Sequence, residues 1–534
     1  MFQVSYYLDC NASMNSSDLA LTFGETSLTW SELDAAASDV AKALIACGVT
    51  TGDIVAYHFP NCINGILLFW GCQKIGAGAF PLNTLLSASE LSKVLNLVEC
   101  KLLFYHVSAK STFEKFTQLA HSTSTITGAV ISGDSVDFVD FTSVPNCSTW
   151  DSFVKAGRSV STDTLKTIED AVGPNDPSIV LLTGGTTSLP KAVYRTQQVT
   201  KDYMTMLAVE NQNCRTKETI LTTSALFHTA GLTLMLKAAI LKAHFIVVDK
   251  FNDTKTFKDI VDNNVTQLLL VPPALYGRLL AANTGATCET VKEAQCTGGS
   301  VSINDILGVE KLFPNALFKS SYGSTETCGP LGAVLSVDMF KENPDLLGTV
   351  GKPNFSCKVK LLDSDGNVIT TPNTPGELYV QEPMLFNGYL HNDELNAQVL
   401  KDGWYKTDDI LQFNEDGYWF FMGRTVDMIK TGGENVYSVE VEQVVNHYPD
   451  VLECAAIGVP DEKFGEAIGV CIIMKKGEEF DIDEFKQYTK QNMASFRKPR
   501  YVAIVDHLPH TASGKLKRSD LYSEFRSSFI SLYQ

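Results

Sequence analysis

The sequence predicts an α/β fold in more than one domain, on three observations. Between residues 28 and 83 a helical apolar pattern, a strand and a second helical stretch follow one another, the rhythm of a layered α/β structure. Further on, a strand-like run feeds a glycine turn at 181–188, and a second glycine turn stands at 296–300. The chain has 534 residues, 44% hydrophobic and 19% charged, enough for several cores and for more than one domain.

The elements follow from local pattern. In LTWSELDAAASDVAKALIACG, Ser31 is the expected helix cap, and Leu33, Ala37, Val40, Ala41, Leu44 and Ile45 recur at helical spacing as far as Gly48. A strand is expected at 54–59, a buried helix at 64–78 and a short strand and turn at 80–83. Residues 122–171 alternate polar residues with small strand-like runs and carry no catalytic pattern, as a variable subdomain does. Further strands are expected at 179–182, 245–248, 267–271 and 316–320, with an apolar helix after 231. Near the end, Ser438 starts a helix at 439–448, followed by strands at 454–459 and 468–474.

Composition excludes some function classes. A net charge of −18 argues against a nucleic-acid surface, which needs clustered Lys and Arg, so an anionic nucleotide must be met locally. Thirteen cysteines without a Cys-x-x-Cys pair fit neither a disulfide framework nor a zinc site; most are expected to be small buried hydrophobes in a reducing compartment. No run is long and apolar enough for a membrane span, and the first residues lack a signal-peptide pattern. The last residues, SLYQ, are not a peroxisomal tripeptide, and the two Asn-x-Ser/Thr sites mean little without a secretory signal. A soluble, cytoplasmic protein is expected.

The stretch at 181–196, LLTGGTTSLPKAVYRT, carries the first chemistry. Gly184 and Gly185 let backbone N–H groups converge on one anion; Thr183, Thr186, Thr187 and Ser188 add hydroxyl donors, and Lys191 adds a point charge. It is not a P-loop, because Pro190 precedes the lysine and no Gly-Lys-Ser/Thr closes it. Composition alone leaves two readings open, a phosphate cradle and an ordinary surface turn.

The order of residues resembles the phosphate loop of the adenylate-forming superfamily: acyl-CoA synthetases, 4-coumarate-CoA ligases, beetle luciferases and peptide-synthetase adenylation domains. That loop usually reads T-S-G-T-T-G-x-P-K-G; here Gly184, Ser188 and Ala192 depart from it. Five motifs in family order span nearly the whole chain. The resemblance implies a large multi-subdomain N-terminal domain of β-sheets and helices, residues 1–424, and a small mobile α+β C-terminal domain, residues 425–534.

It also implies roles. Phe227-His228 matches the aromatic-His pair that lines the meeting point of acyl carboxylate and nucleotide; a satisfied structural histidine on a strand-to-helix turn is the other reading. The turn with Gly298, Gly299 and Ser300 flanks adenine and acyl pocket. In SYGSTE, Tyr322 packs on adenine beside Gly323, Thr325 touches the α-phosphate and Glu326 helps hold Mg²⁺. GWYKTDDI at 403–410 resembles G-W-x-x-T-G-D-I and places Asp409 on the ribose hydroxyls, with Asp408 where the family has glycine. Arg424 holds ribose and phosphate. Val426 stands where the hinge usually has Asp or Lys, and Gly432 and Gly433 form the loop that enters the thiol channel. LPHTASGKLKR at 508–518 supplies Lys515, which bridges carboxylate and α-phosphate in the first half-reaction.

The implied activity is that of an acid-thiol ligase. MgATP and a fatty or aromatic carboxylic acid give an acyl-adenylate and pyrophosphate, and coenzyme A then takes the acyl group, with catalytic roles for Lys515, His228 and Lys191. Amino-acid adenylation is disfavoured because His228 stands where those domains usually have an aspartate. Luciferase is disfavoured because Lys430-Thr-Gly-Gly433 replaces Lys-Tyr-Lys-Gly. A nucleotide-binding pseudoenzyme, or adenylation for an acceptor other than coenzyme A, stays open on the departures at Gly184, Ser188, Ala192, Asp408 and Val426. The particular acid, the pathway and the oligomeric state are not fixed by the sequence.

Overall fold

A computed structural model of the protein describes residues 3–123, 125–126, 128–133, 144, 146–183, 190–211, 217–299, 301–510 and 516–533. It is a mixed α/β structure with a large N-terminal domain and a smaller C-terminal one.

The first long helix spans Trp30–Ala46, and its cap is Thr29, not Ser31. Thr29 is extended, its Oγ1 accepts from the Glu32 N–H, and Glu32 reaches back to the Thr29 N–H, a reciprocal capping box worth about 1 kcal/mol. Ser31 lies inside the first turn. The expected buried helix spans Ile63–Ile75 and stops at left-handed Gly76. It is buried on every side from Gly65 onward, which even includes Lys74. That ammonium sits 2.7, 2.8 and 3.2 Å from Asp9, Asp34 and Glu169, which ties three neighbouring helices to this one. An uncompensated lysine there would be untenable.

Two sheets carry the large domain. In the eight-stranded sheet, Ile54–His58 lies between Gly78–Pro81 and Leu102–His106. Its other side continues through Pro177–Thr183 and Lys191–Thr196, an antiparallel hairpin, to the two-residue strand Gly388–Tyr389. The fifteen-stranded sheet contains the parallel run His244–Val247, Thr219–Thr222, Gln267–Leu269, Glu293–Thr297 and Leu317–Tyr322. Antiparallel strands extend it to Trp419–Arg424 and Trp404–Phe413. The helix expected after residue 231 begins two residues earlier, at Thr229–Leu241.

Residues 122–171 hold more regular structure than their pattern suggested: strands Gly128–Ser132 and Cys147–Thr149, and helices Trp150–Ala156 and Thr162–Ala171. The helices are short and largely polar; they bury Phe153, and Leu165 with Glu169, and the stripe of Leu165 and Ile168 on the second is too short to stand out in the sequence.

The smaller domain has its own core around Val441, Val445, Ile468, Val470 and Phe485. Ser438 opens the helix Ser438–Val445, and strands Val451–Asp461 and Gly465–Met474 pair over their whole length. All described cysteines are free, and only half of them are buried. Among the described residues no helix is long and apolar enough to cross a membrane.

Candidate active site

Strand order sets the site. Parallel strands Glu293–Thr297 and Leu317–Tyr322 are neighbours, with Thr297 opposite Ser321. The turn with Gly298 and Gly299 and the Tyr322 motif therefore leave the sheet side by side at its carboxyl edge, where open α/β sheets bind ligands. The Thr297 hydroxyl donates to the Ser321 carbonyl at 2.8 Å and fastens the two exits together. Gly323 has no room for a side chain: a Cβ there would stand 2.6 Å from the Gly329 nitrogen.

Asp409 and Arg424 face one another across antiparallel strands. Arg424 Nε lies 3.1 Å from one oxygen of the buried Asp409 carboxylate, and the Tyr322 hydroxyl donates to the other at 2.5 Å. Burial first, then the Asp409 charge, pushes the Tyr322 phenol well above its ordinary range, so it keeps its proton and stays a donor. Asp408 accounts for its own departure. Its φ of +61° is the left-handed conformation in which glycine is at ease, and among other residues Asp and Asn tolerate it best. Its carboxylate is half exposed and lies 4.0 Å from Lys406.

Thr183 and Lys191 pair across the mouth of the hairpin. Gly184, Gly185, Thr186, Thr187 and Ser188 lie outside the described residues, as do Ser300 and Lys515. Lys191 stands over the ring of Tyr389, its Nζ 5.1 Å from the centroid. The Tyr389 hydroxyl donates to Glu326 Oε1 at 2.7 Å and lies 3.2 Å from the Tyr405 hydroxyl. One phenol thus joins the lysine to the buried Glu326 carboxylate. Burial and the Glu326 charge push the Tyr389 phenol far up, which keeps it a donor.

Thr325 is held from both sides. Arg195, almost fully buried, donates through Nη2 to the Thr325 carbonyl, and the Thr229 hydroxyl lies 3.3 Å from the Thr325 hydroxyl. Thr229 is the first residue of the helix that His228 precedes, so His228 stands at the helix entry beside this threonine. Its ring lies 4.6 Å from that of Phe227 and is partly exposed. Arg195, Tyr389 and Tyr405 are site residues that no motif announced. The one signal was a charged residue inside an otherwise strand-like KAVYRT.

In the smaller domain, Gly432 and Gly433 form the two-residue turn of the hairpin Met428–Thr431 and Glu434–Tyr437, with φ of +59° and +89°. The motif that carries Lys515 ends on Arg518. This guanidinium grips Glu442 through two bonds of 2.6 and 2.9 Å and lies 3.8 Å from Asp427. Val426, beside it, is 70% exposed. Among the departures, Ala192 is buried in the hairpin opposite Leu182. Among the described residues no group of three His, Cys, Asp or Glu side chains could hold a metal ion. A single buried carboxylate such as that of Glu326 suits Mg²⁺, which takes few protein ligands and completes its shell with phosphates and water.

Strands that end together on a glycine turn and an acid-gripped tyrosine make this an α/β nucleotide-binding protein. A family model described as AMP-binding enzyme matches residues 8–390, and a second, AMP-binding enzyme C-terminal domain, matches 440–515. The chain belongs to the AMP-binding enzyme family. It is 27% identical over 524 residues to indoleacetate–CoA ligase of Aromatoleum aromaticum, covering 97% of each chain. It is 27% identical over 503 residues to long-chain-fatty-acid–CoA ligase FadD13 of Mycobacterium tuberculosis, covering 94% of each. A structure of o-succinylbenzoate CoA synthetase from Bacillus subtilis with its acyl-adenylate intermediate superposes with a TM-score of 0.78 at 26% identity, covering 96% of this chain and 97% of that one.

Proposed function

We propose that the protein is an AMP-forming carboxylate–CoA ligase. MgATP and a carboxylic acid give an acyl-adenylate and pyrophosphate; the thiol of coenzyme A then takes the acyl group and AMP leaves, a far better leaving group than hydroxide. The observation that carries the reading is the Lys191–Tyr389–Glu326 contact, which draws the lysine of the glycine loop and a buried acid to one point. Relatives named for indoleacetate and for long-chain fatty acids, each covered almost end to end, agree on the reaction and differ on the acid.

In this reading the glycine loop and Lys191 cradle the phosphates, Glu326 holds Mg²⁺, Asp409 accepts the ribose hydroxyls with Arg424 beside them, and Tyr322 packs on adenine. Thr325 and His228 meet the α-phosphate and the acyl carboxylate. The cation supplies charge neutralisation at the phosphates; the protein positions them. The hinge follows Arg424, with Val426 at the hinge position; residues 1–424 and 425–534 move as two bodies, and Gly432 and Gly433 enter the thiol channel. The free cysteines are in keeping with a reducing, cytoplasmic setting.

Lys515 stabilises the first transition state only. Lys515→Ala should abolish pyrophosphate release while thioester formation from supplied acyl-adenylate continues. Equal loss of both half-reactions sinks that role. The pseudoenzyme reading is weakened at Asp408, whose charge is half exposed beside Lys406.

A further inference from the structure

One short strand sends two cations to two successive residues of one motif. In Lys191–Thr196, side chains two apart share a face, which puts Lys191 and Arg195 on the same side. Lys191 meets Glu326 through Tyr389, while Arg195 donates to the carbonyl of the residue before it, Thr325. The Thr325 hydroxyl has a separate neighbour in Thr229. Arg195 therefore acts on the backbone of Thr325 and not on its hydroxyl.

Arg195 is almost fully buried, and a buried charge is costly unless an opposite charge meets it. Its contacts are the Thr325 carbonyl, the Tyr203 ring at 5.7 Å and the Cys328 thiol, none of them an anion. The carboxyl group beside it is Glu382, whose charged form Arg195 favours, but among the described residues the two make no ion pair. Glu382 is buried as well and has only the weak Cys357 thiol as a donor. It opens the segment that crosses the motif: four residues on, the Phe386 N–H donates to the Glu326 carbonyl at 3.1 Å, and Tyr389 follows. A guanidinium with neutral partners and a carboxyl without a strong donor thus lie together beside Thr325 and Glu326.

A carboxylate competes for a guanidinium better than a carbonyl does, because hydrogen bonds between ionised partners are roughly twice as strong as neutral ones. Building on the ligase reading, we infer that Arg195 is a positioning residue for adenylate formation: with Glu382 neutral it fixes Thr325 at the α-phosphate, and with Glu382 charged it is drawn off Thr325 and the first half-reaction slows.

Glu382 is the group of this cluster that changes charge near neutrality. Burial pushes the Tyr203 phenol and the Cys357 thiol far up and the Cys328 thiol up to about 12, so all three stay neutral. Glu326 is occupied by Tyr389, over whose ring Lys191 lies; Glu210, at the end of the helix that carries Tyr203, faces Lys319 and Lys237. Burial lifts Glu382 to about 8, against the pull of Arg195. A single ionisation then divides a fast form from a slow one.

The test is the rate of the pyrophosphate burst from the full chain at saturating MgATP without coenzyme A, with indoleacetate, octanoate, palmitate and 4-coumarate, from pH 7 to pH 9. Wild type, Glu382→Gln, Arg195→Met and Arg195→Lys are compared. In wild type the rate with the best acid should fall roughly five- to tenfold over this interval through one ionisation near 8. Glu382→Gln should match wild type within about twofold at pH 7 and lose the fall. Arg195→Met should be roughly tenfold slower than wild type at pH 7 and show no fall, and Arg195→Lys should recover part of the rate; if Arg195→Met does not fold, Glu382→Gln decides. A flat wild-type rate, a fall that persists in Glu382→Gln, or Arg195→Met as fast as wild type overturns the inference and leaves the ligase reading standing. Release with none of the acids at any pH overturns the ligase reading itself and this inference with it.

Discussion

Glu382 is a carboxyl group in the wrong solvent, and that makes its behaviour computable. It follows the strand Gly376–Gln381, is 7% exposed, and among the described residues has only the weak thiol of Cys357 to donate to its carboxylate. Burial pushes it from 4.5 up to about 8, against the opposing pull of Arg195 and Cys357. Below pH 4.5 it is protonated both folded and unfolded. Between 4.5 and about 8 the unfolded chain gives up the proton while the fold keeps it, so stability falls as pH rises, and above about 8 the loss levels off. The full interval is worth about 5 kcal/mol, of which about 2.5 kcal/mol falls between pH 6 and 9. With about 2 cal/mol/K of unfolding entropy per residue over a unit of roughly 400 residues, that is about 3 °C. Glu382→Gln removes the titration. Differential scanning calorimetry at pH 6 and pH 9 should therefore show the variant gaining about 3 °C on wild type at the higher pH. A gap between variant and wild type that does not change with pH would refute the reasoning.

Three further outcomes follow from the site. Tyr389→Phe keeps the ring under Lys191 but removes the donor to Glu326, a charge-assisted bond worth about 1.5–3 kcal/mol, so pyrophosphate release should fall roughly 10–100-fold; an unchanged rate removes Tyr389 from the account. Asp409→Asn should weaken the grip of Arg424 and Tyr322 together and raise the KM for ATP roughly tenfold or more, measured by pyrophosphate release at saturating acid. Asp408→Gly relieves a left-handed backbone and should raise stability by about 0.5–1 kcal/mol in thermal unfolding, with activity within twofold of wild type. Lower stability would mean that the Lys406 contact outweighs the backbone term.

Much of the fold was legible because strands and glycine turns alternate at short range. The expected positions of the strands at Ile54–His58, Gln267–Leu269 and Leu317–Tyr322 agree with the structure within a few residues. Short, largely polar helices such as Thr162–Ala171 were not, because the apolar stripe there is only Leu165 and Ile168, a single turn. The cap at Thr29 was misplaced by two residues, since Thr29 and Ser31 are both competent acceptors and only backbone geometry separates them. Asp409, Arg424, Tyr322 and Glu326 stood in recognisable motifs. Tyr389 and Arg195 did not, because each gains its meaning from a partner 63 or 130 residues away, a distance that strand pairing closes and local pattern does not see.

The central claim is a ligase that activates a carboxylic acid with ATP and passes it to coenzyme A. It is tested most directly by pyrophosphate release from MgATP over short, medium, long, aromatic and dicarboxylic acids, each with and without coenzyme A. The account predicts acid-dependent release that becomes multiple-turnover only when coenzyme A is present. Release that ignores coenzyme A would point to a different acceptor, and ATP binding with no release under any condition would contradict the account.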